Sequence, residues 1–220
     1  MTPKPSGPKR EEKRRRAGRI FRALARLYPR AHCELDFRTP FQLLVATILS
    51  AQCTDQNVNR VTPALFASFP DALSMSRADP ERLQGLIRSI GLFRAKARNL
   101  LACSRALVER HGGEVPDRME DLVELAGVGR KTANVVLFNA FGKPGLPVDT
   151  HVLRVGKRLG LFRSQNPLQV EKELGGLVPP ETWGMVSHWL IWHGRRVCKA
   201  RNPACQACSL RGLCDFGSKA

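Results

Sequence analysis

The sequence predicts an all-α protein, and three observations carry that prediction. No stretch sustains the two-residue alternation that a half-buried strand needs, whereas apolar residues recur at three- and four-residue spacing along most of the chain. Several of these runs also open on a capping residue followed by proline. At 220 residues the chain is long enough for one large or two small lobes with a real core.

Each helix has its own warrant. Residues 18–28 place Ile20, Phe21, Leu24 and Leu27 at helical spacing with arginines between them, an amphipathic helix. Thr39-Pro40 supplies an N-cap and an N1 proline for a helix running to about residue 52. That helix is apolar nearly all round, so it is expected at the centre. Residues 55–69 follow, with Val58, Val61, Leu65 and Phe66 on the inner face. Asp79-Pro80-Glu81 repeats the capped start, and Leu83, Leu86, Ile87 and Ile90 lead to Gly91, a natural stop. After Leu92-Phe93 a helix is expected over 96–110. A short amphipathic segment at 119–125 and a helical run at 130–141 come next, then helices at 150–161, 169–178 and 181–193.

Charge narrows the partners. The 36 Lys and Arg against 19 Asp and Glu give a net charge of +17, which favours a polyanion: nucleic acid first, an anionic membrane surface second. No apolar run approaches the roughly 20 residues needed to span a bilayer; the longest, 41–49, is interrupted by Gln42 and Thr47. Residues 1–19 are rich in Pro, Lys and Arg and lack the apolar core of a secretory signal. Residues 1–18 are therefore expected to be a disordered basic arm that adds non-specific attraction to nucleic acid, the alternative being an inert tail.

The chemistry concentrates between residues 125 and 151. Gly127-Val128-Gly129 separates the segment at 119–125 from the run at 130–141, and the two glycines permit positive φ and close backbone approach. Amides exposed at such a turn and at the start of the next helix suit a phosphate. With Arg130 and Lys131 beside them, helix, Gly-x-Gly turn and helix read as a helix-hairpin-helix, with an ordinary corner between helices as the alternative. Lys131 lies beside the positive end of the helix dipole, and its amine, when neutral, is a nucleophile able to form a Schiff base. Asp149, in the stretch Pro147-Val148-Asp149-Thr150-His151, offers a carboxylate to stabilise developing positive charge or move a proton. The plainer reading gives Lys131 a phosphate contact and Asp149 an N-cap at 150–161.

Seven cysteines are unevenly distributed. Cys33, Cys53 and Cys103 are scattered and read as core thiols, whereas Cys198, Cys205, Cys208 and Cys214 crowd the end with x6, x2 and x5 spacing. Four such thiolates hold either a [4Fe-4S] cluster or a tetrahedral zinc, and spacing alone does not decide. Either would fix Lys199, Arg201 and Asn202 on a basic loop able to reach phosphates. The pattern suits an intracellular metalloprotein better than a secreted disulfide scaffold.

Leu-Ala-Gly-Val-Gly-Arg-Lys-Thr-Ala-Asn-Val-Val-Leu at 125–137, Val-Asp-Thr-His at 148–151 and the four-cysteine tail together resemble the endonuclease III family of DNA repair glycosylases. The resemblance covers nearly everything after the basic leader. One departure is Ala126, where the family hairpin often has proline. The resemblance implies two helical lobes flanking a DNA-binding cleft: a six-helix barrel over 33–143 with the hairpin at about 119–141, and a cluster lobe built from 19–32 and 144–220. It implies a [4Fe-4S] cluster on the four cysteines, with Lys131 attacking the sugar C1′ of a damaged nucleotide and Asp149 assisting. Gln52 would pair with the orphaned base and Leu92 would wedge the stack. Gly127, Gly129 and Arg130, with Lys199, Arg201 and His151, would contact DNA; His151 is otherwise a packing or capping residue.

The expected activity is a bifunctional glycosylase and apurinic/apyrimidinic lyase acting on oxidised pyrimidines, as a cytoplasmic monomer on double-stranded DNA with no membrane partner. Two rivals are an adenine-mismatch glycosylase and a non-catalytic, cluster-stabilised DNA-binding module. The first uses a glutamate near the position of Thr47 and lacks the hairpin lysine; the second needs neither Lys131 nor Asp149.

Overall fold

The structure is a computed structural model that describes residues 8–219. Every regular element among the described residues is helical. Two compact units are present: Cys33–Gly145, and Met1–His32 together with Leu146–Ala220.

The Cys33–Gly145 unit is built on α2 (Pro40–Leu49), in which every residue but Pro40 and Gln42 is buried. Thr39 caps it by accepting from the Gln42 N–H, and its one buried hydroxyl, Thr47, donates to the Leu43 carbonyl at 2.7 Å. Around α2 pack α3 (Asp55–Ser68), α6 (Phe93–His111) and α8 (Arg130–Phe141). Burying side chains such as Leu44, Leu49 and Leu100 contributes about 1.5–3 kcal/mol each. α4 (Ala72–Ser76) packs on α6 and was not foreseen; a capping box between Asp71 and Ser74 starts it. α5 (Pro80–Leu86) begins at the Asp79 cap, and α7 (Met119–Val123) leads into the glycine turn.

In the other unit α1 (Pro8–Leu27) packs on α11 (Trp183–Arg196), which also packs on α9 (Thr150–Arg158). Gly194 makes the second crossing close: a Cβ there would lie 3.0 Å from Val155 Cγ2. α10 (Pro167–Gly175) is capped by Asn166 and starts earlier than expected, at the proline.

The basic arm is a correction. Residues 8–18 are not disordered: they form the first turns of α1, and Ala17 is fully buried. Proline opens that helix, and Glu11 in its first turn meets Arg15 one turn on at 2.6 Å. Arg14 donates to the Gly176 carbonyl at 3.0 Å, and Arg16 donates to the Leu213 carbonyl and pairs with Asp215. These partners lie about 160 to 200 positions away in sequence, so composition could not reveal them. The part of the expected arm at residues 1–7 lies outside the described residues.

Candidate functional site

The hairpin is built from one buried side chain and two differently used glycines. Val128 is buried and its N–H donates to the Leu125 carbonyl at 3.0 Å, which closes the turn. Gly127 has φ +78, and a Cβ there would stand 3.0 Å from that of Asn99, so both conformation and space demand glycine. Gly129 differs from expectation. Its φ is −93, an extended conformation that any residue adopts, and it serves as the N-cap of α8 with open space at its Cα. No side chain caps α8, and the first-turn N–H groups of a helix lack intrahelical acceptors. Arg130 and Lys131, both exposed, occupy that first turn.

Asp149 belongs to the other unit. It is the N-cap of α9, and Oδ1 accepts from the Val152 N–H at 2.8 Å, so the plain capping role is real. Capping leaves the second carboxylate oxygen for other work. His151 is half-buried; its Nδ1 lies 3.1 Å from Arg154 Nη2, which also donates to the Gly194 carbonyl, so the ring packs where α9 crosses α11.

Gln52 and Leu92 share an unusual property. Both are exposed, Leu92 at 62 %, and both adopt left-handed backbone conformations, with φ of +54 and +60. Only one other described non-glycine residue does so, Asn202 on the cysteine loop. Such conformations cost about 1–3 kcal/mol and persist where surrounding structure enforces them. α2 ends at Leu49 rather than near residue 52, so Gln52 stands clear of the helix in the loop beyond it. The loop before Gln52 is bonded by a residue that sequence reasoning missed. Lys96, only 4 % exposed, donates from Nζ to the carbonyls of Leu49 and Ala51 at 2.8 and 2.6 Å. Burial lowers its pKa below the ordinary lysine value, against the opposing effect of nearby Cys53. Nothing in the helical pattern of 93–111 marks this lysine as buried.

The four tail cysteines surround one hollow, lined also by Val155, Leu159 and His193. All four are half-buried and none is in a disulfide. Cys198 leaves the end of α11, its N–H donating to the His193 carbonyl at 2.8 Å, and Cys208 N–H donates to the Cys205 carbonyl at 3.2 Å. Arg158 Nη1 reaches Cys198 Sγ at 3.3 Å, and the Gly217 N–H reaches Cys214 Sγ at 3.3 Å. Burial, and then the neighbouring Cys214, Cys198 and Cys205, push the Cys208 thiol up, against a hydrogen bond from the Leu210 backbone. Four thiols so crowded lose their protons together only with cationic charge between them, which is the condition for metal ligation. Four thiolates around one hollow, two of them bonded by a guanidinium and a backbone N–H, fit an iron-sulfur cluster. Lys199 and Arg201 are exposed on the loop between Cys198 and Cys205, and Arg158 pins that loop through the Lys199 and Ala200 carbonyls at 2.7 and 3.1 Å.

The structure thus gathers Gly127, Gly129, Arg130 and Lys131 at one helix start, and the four cysteines with Lys199 and Arg201 at one loop. Thr47, where a mismatch glycosylase would carry its acid, is buried and bonded within α2. No helix among the described residues is long and apolar enough to cross a membrane.

Comparison with known proteins was then informative. Residues 45–180 match the HhH-GPD superfamily of base excision DNA repair proteins, and residues 198–214 match the iron-sulfur binding domain of endonuclease III. The endonuclease III of Synechocystis sp. is 52 % identical over 94 % of each chain, and that of Bacillus subtilis is 50 % identical over 88 % of this chain and 89 % of its own. A solved structure described as a trapped endonuclease III–DNA covalent intermediate superposes with a TM-score of 0.90 at 46 % identity, covering 94 % of this chain and 97 % of the other.

Proposed function

This chain belongs to the endonuclease III family within the HhH-GPD superfamily, and from that premise we propose that it is a bifunctional DNA glycosylase and apurinic/apyrimidinic lyase of base excision repair. Its substrate is double-stranded DNA carrying an oxidised pyrimidine or an abasic site, and a single chain suffices. The observation that supports this reading most directly is an exposed lysine on the uncapped first turn of α8, entered through the Gly127 turn.

In the proposed reaction, Lys131 Nζ forms a bond to C1′ of the extruded nucleotide as the bond from C1′ to the base breaks, the base leaving with the electron pair and taking up a proton. Opening of the sugar ring and loss of the amine proton give a Schiff base. Removal of a C2′ proton then expels the 3′ phosphate by β-elimination. Asp149 stabilises the cationic sugar during displacement, with the carboxylate oxygen that its N-cap bond leaves over. Amides of the hairpin, with Arg130, Lys199 and Arg201, hold phosphates and position the duplex. His151, two residues after Asp149, supports the same contact surface. Gln52 enters the space left by the extruded nucleotide and Leu92 wedges the stack beside it.

Cys198, Cys205, Cys208 and Cys214 hold a [4Fe-4S] cluster. When bound, it cross-links the tail and so fixes the loop bearing Lys199 and Arg201.

Borohydride reduction in the presence of abasic DNA tests the reading. The parent chain is expected to form a covalent adduct that Lys131→Ala does not. Absence of an adduct in the parent would leave a DNA-binding module. Iron and sulfide in the purified protein, with brown colour, check the cluster against zinc.

A further inference from the structure

Gln52 and Leu92 sit on different loops, yet one side chain ties the peptide before Gln52 to the helix that Leu92 caps. The carbonyl of Ala51 accepts from Lys96 Nζ at 2.6 Å, and the Ala51–Gln52 peptide is the plane about which the φ of Gln52 is set. The carbonyl of Leu92 accepts from the Lys96 N–H at 3.0 Å, the first backbone bond of α6, so the Lys96 side chain stands one turn beyond the helix cap Leu92. Other carbonyls at the end of α2 have donors as well: Ala46 accepts from the Ser50 N–H at 2.9 Å, Thr47 from Ser50 Oγ at 2.8 Å, Leu49 from Lys96 Nζ, and Ser50 from the Cys53 N–H at 3.0 Å. Only Lys96 among these donors comes from α6. Asn57 adds a second tie, donating from Nδ2 to Cys53 Sγ at 3.4 Å and to the Ser89 carbonyl at 3.1 Å.

A buried lysine is an expensive way to terminate a helix, since an amide or hydroxyl would satisfy the same carbonyls without burying a charge. An ammonium differs in bonding two carbonyls at once with strong, directional contacts, from a helix whose N-cap is the exposed Leu92. We propose that Lys96 is a positioning residue for base extrusion: its side chain joins the loop after α2 to the start of α6, so that Gln52 is held in its left-handed conformation in register with Leu92. This rests on the reading that Gln52 fills the vacated space and Leu92 wedges the stack. Without the tie, the Gln52 backbone relaxes toward the ordinary right-handed or extended regions and loses its register with Leu92, so that the pair must be ordered anew at every encounter with DNA.

The test compares Lys96→Met, the joint variant Gln52→Ala/Leu92→Ala, and the combination of all three. Two readouts are used: the ratio of cleavage rates at an abasic site in duplex and in single-stranded DNA, and the fluorescence of 2-aminopurine placed opposite a tetrahydrofuran abasic analogue. Single strands need no extrusion, so a positioning role lowers the ratio. Lys96→Met is expected to lower it about tenfold, with a smaller 2-aminopurine response, and to add less than about twofold in the Gln52→Ala/Leu92→Ala background. Equal losses on duplex and single strand, or a further tenfold loss in that background, would make Lys96 a general structural residue and overturn the proposal. If Gln52→Ala/Leu92→Ala keeps the parent ratio and fluorescence, the underlying roles of Gln52 and Leu92 fail instead. Should Lys96→Met not fold, the half-exposed Asn57→Ala, which cuts the other tie, must show the same duplex-selective loss; a parent-like ratio there overturns the coupling.

Discussion

Replacing Asp149 separates its two jobs. Its Oδ1 caps α9 through the Val152 N–H at 2.8 Å, and its charge faces the positive end of a nine-residue helix. Asp149→Ala loses both, about 0.5–2 kcal/mol for the cap and about 0.3–1 kcal/mol for the dipole. Asp149→Asn keeps an acceptor oxygen at the same place and loses only the smaller contribution. For a protein of this size each kcal/mol lowers the melting temperature by about 2–4 °C. Even a 2 kcal/mol loss from a stability near 5 kcal/mol leaves about 99 % of the chains folded, so capping cannot alter turnover measurably. Removing a carboxylate that acts on the reacting sugar costs about 10²–10⁴ in rate. Thermal melts alongside single-turnover excision of thymine glycol are therefore expected to diverge: Asp149→Asn melts close to the parent and loses activity nearly as fully as Asp149→Ala. An Asp149→Asn enzyme within about twofold of the parent rate would refute the reasoning and reduce the residue to its cap.

Other outcomes follow from single features. Burial pushes the Cys103 thiol up to about 12, while the unfolded chain releases that proton near 9. The group's contribution is thus complete below pH 9 and is lost as pH rises toward 12, by about 1.4 kcal/mol per pH unit. Urea midpoints of the parent should fall against those of Cys103→Ala across this window, and parallel curves would contradict it. A Cβ at Gly156 would stand 2.6 Å from Cζ of the buried Phe162 ring, so Gly156→Ala should destabilise by about 1–3 kcal/mol in chemical unfolding. An unchanged midpoint would show that the ring moves freely. Affinity for duplex DNA should fall steeply with salt, and Lys199→Ala and Arg201→Ala should each reduce the slope of log K against log salt by about 0.9. Slopes equal to the parent's would remove that loop from the phosphate-contacting surface.

Much of the fold was legible because local signals and burial agree. Thr39-Pro40 before an apolar run gives α2 its start, and Asp79-Pro80 does the same for α5. The ends were less legible. Apolar patterning continues through residue 51, but the carbonyls of Leu49 and Ala51 are taken by a lysine 45 to 47 positions away, and the helix stops. α1 was read too short because Arg14 and Arg16 find their partners near the far end of the sequence. α4 escaped notice because five residues carry too little periodicity to stand above chance. The same contrast runs through the candidate site. Cysteine spacing announces a metal centre, and a lysine after Gly-x-Gly announces a helix start. The left-handed backbones of Gln52 and Leu92 carry no sequence mark, since neither is the glycine or asparagine expected there. Both glycines of the turn looked alike in sequence, yet only Gly127 needs its positive φ.

One unit is assembled from Met1–His32 and Leu146–Ala220. During synthesis α1 leaves the ribosome long before α11, its main partner, exists. At about 5–20 residues per second that interval is roughly ten to thirty seconds. Throughout it Ile20, Phe21 and Leu24 have no lasting cover, and the arginines and lysines of the same helix favour solubility of the segment. The contiguous stretch Cys33–Gly145 can meanwhile complete its own interior. Iron loading must come last, because Cys214 is translated after every element that frames the hollow except the closing turn Gly217–Lys219. Cluster binding therefore falls after the contiguous unit Cys33–Gly145 has been translated in full.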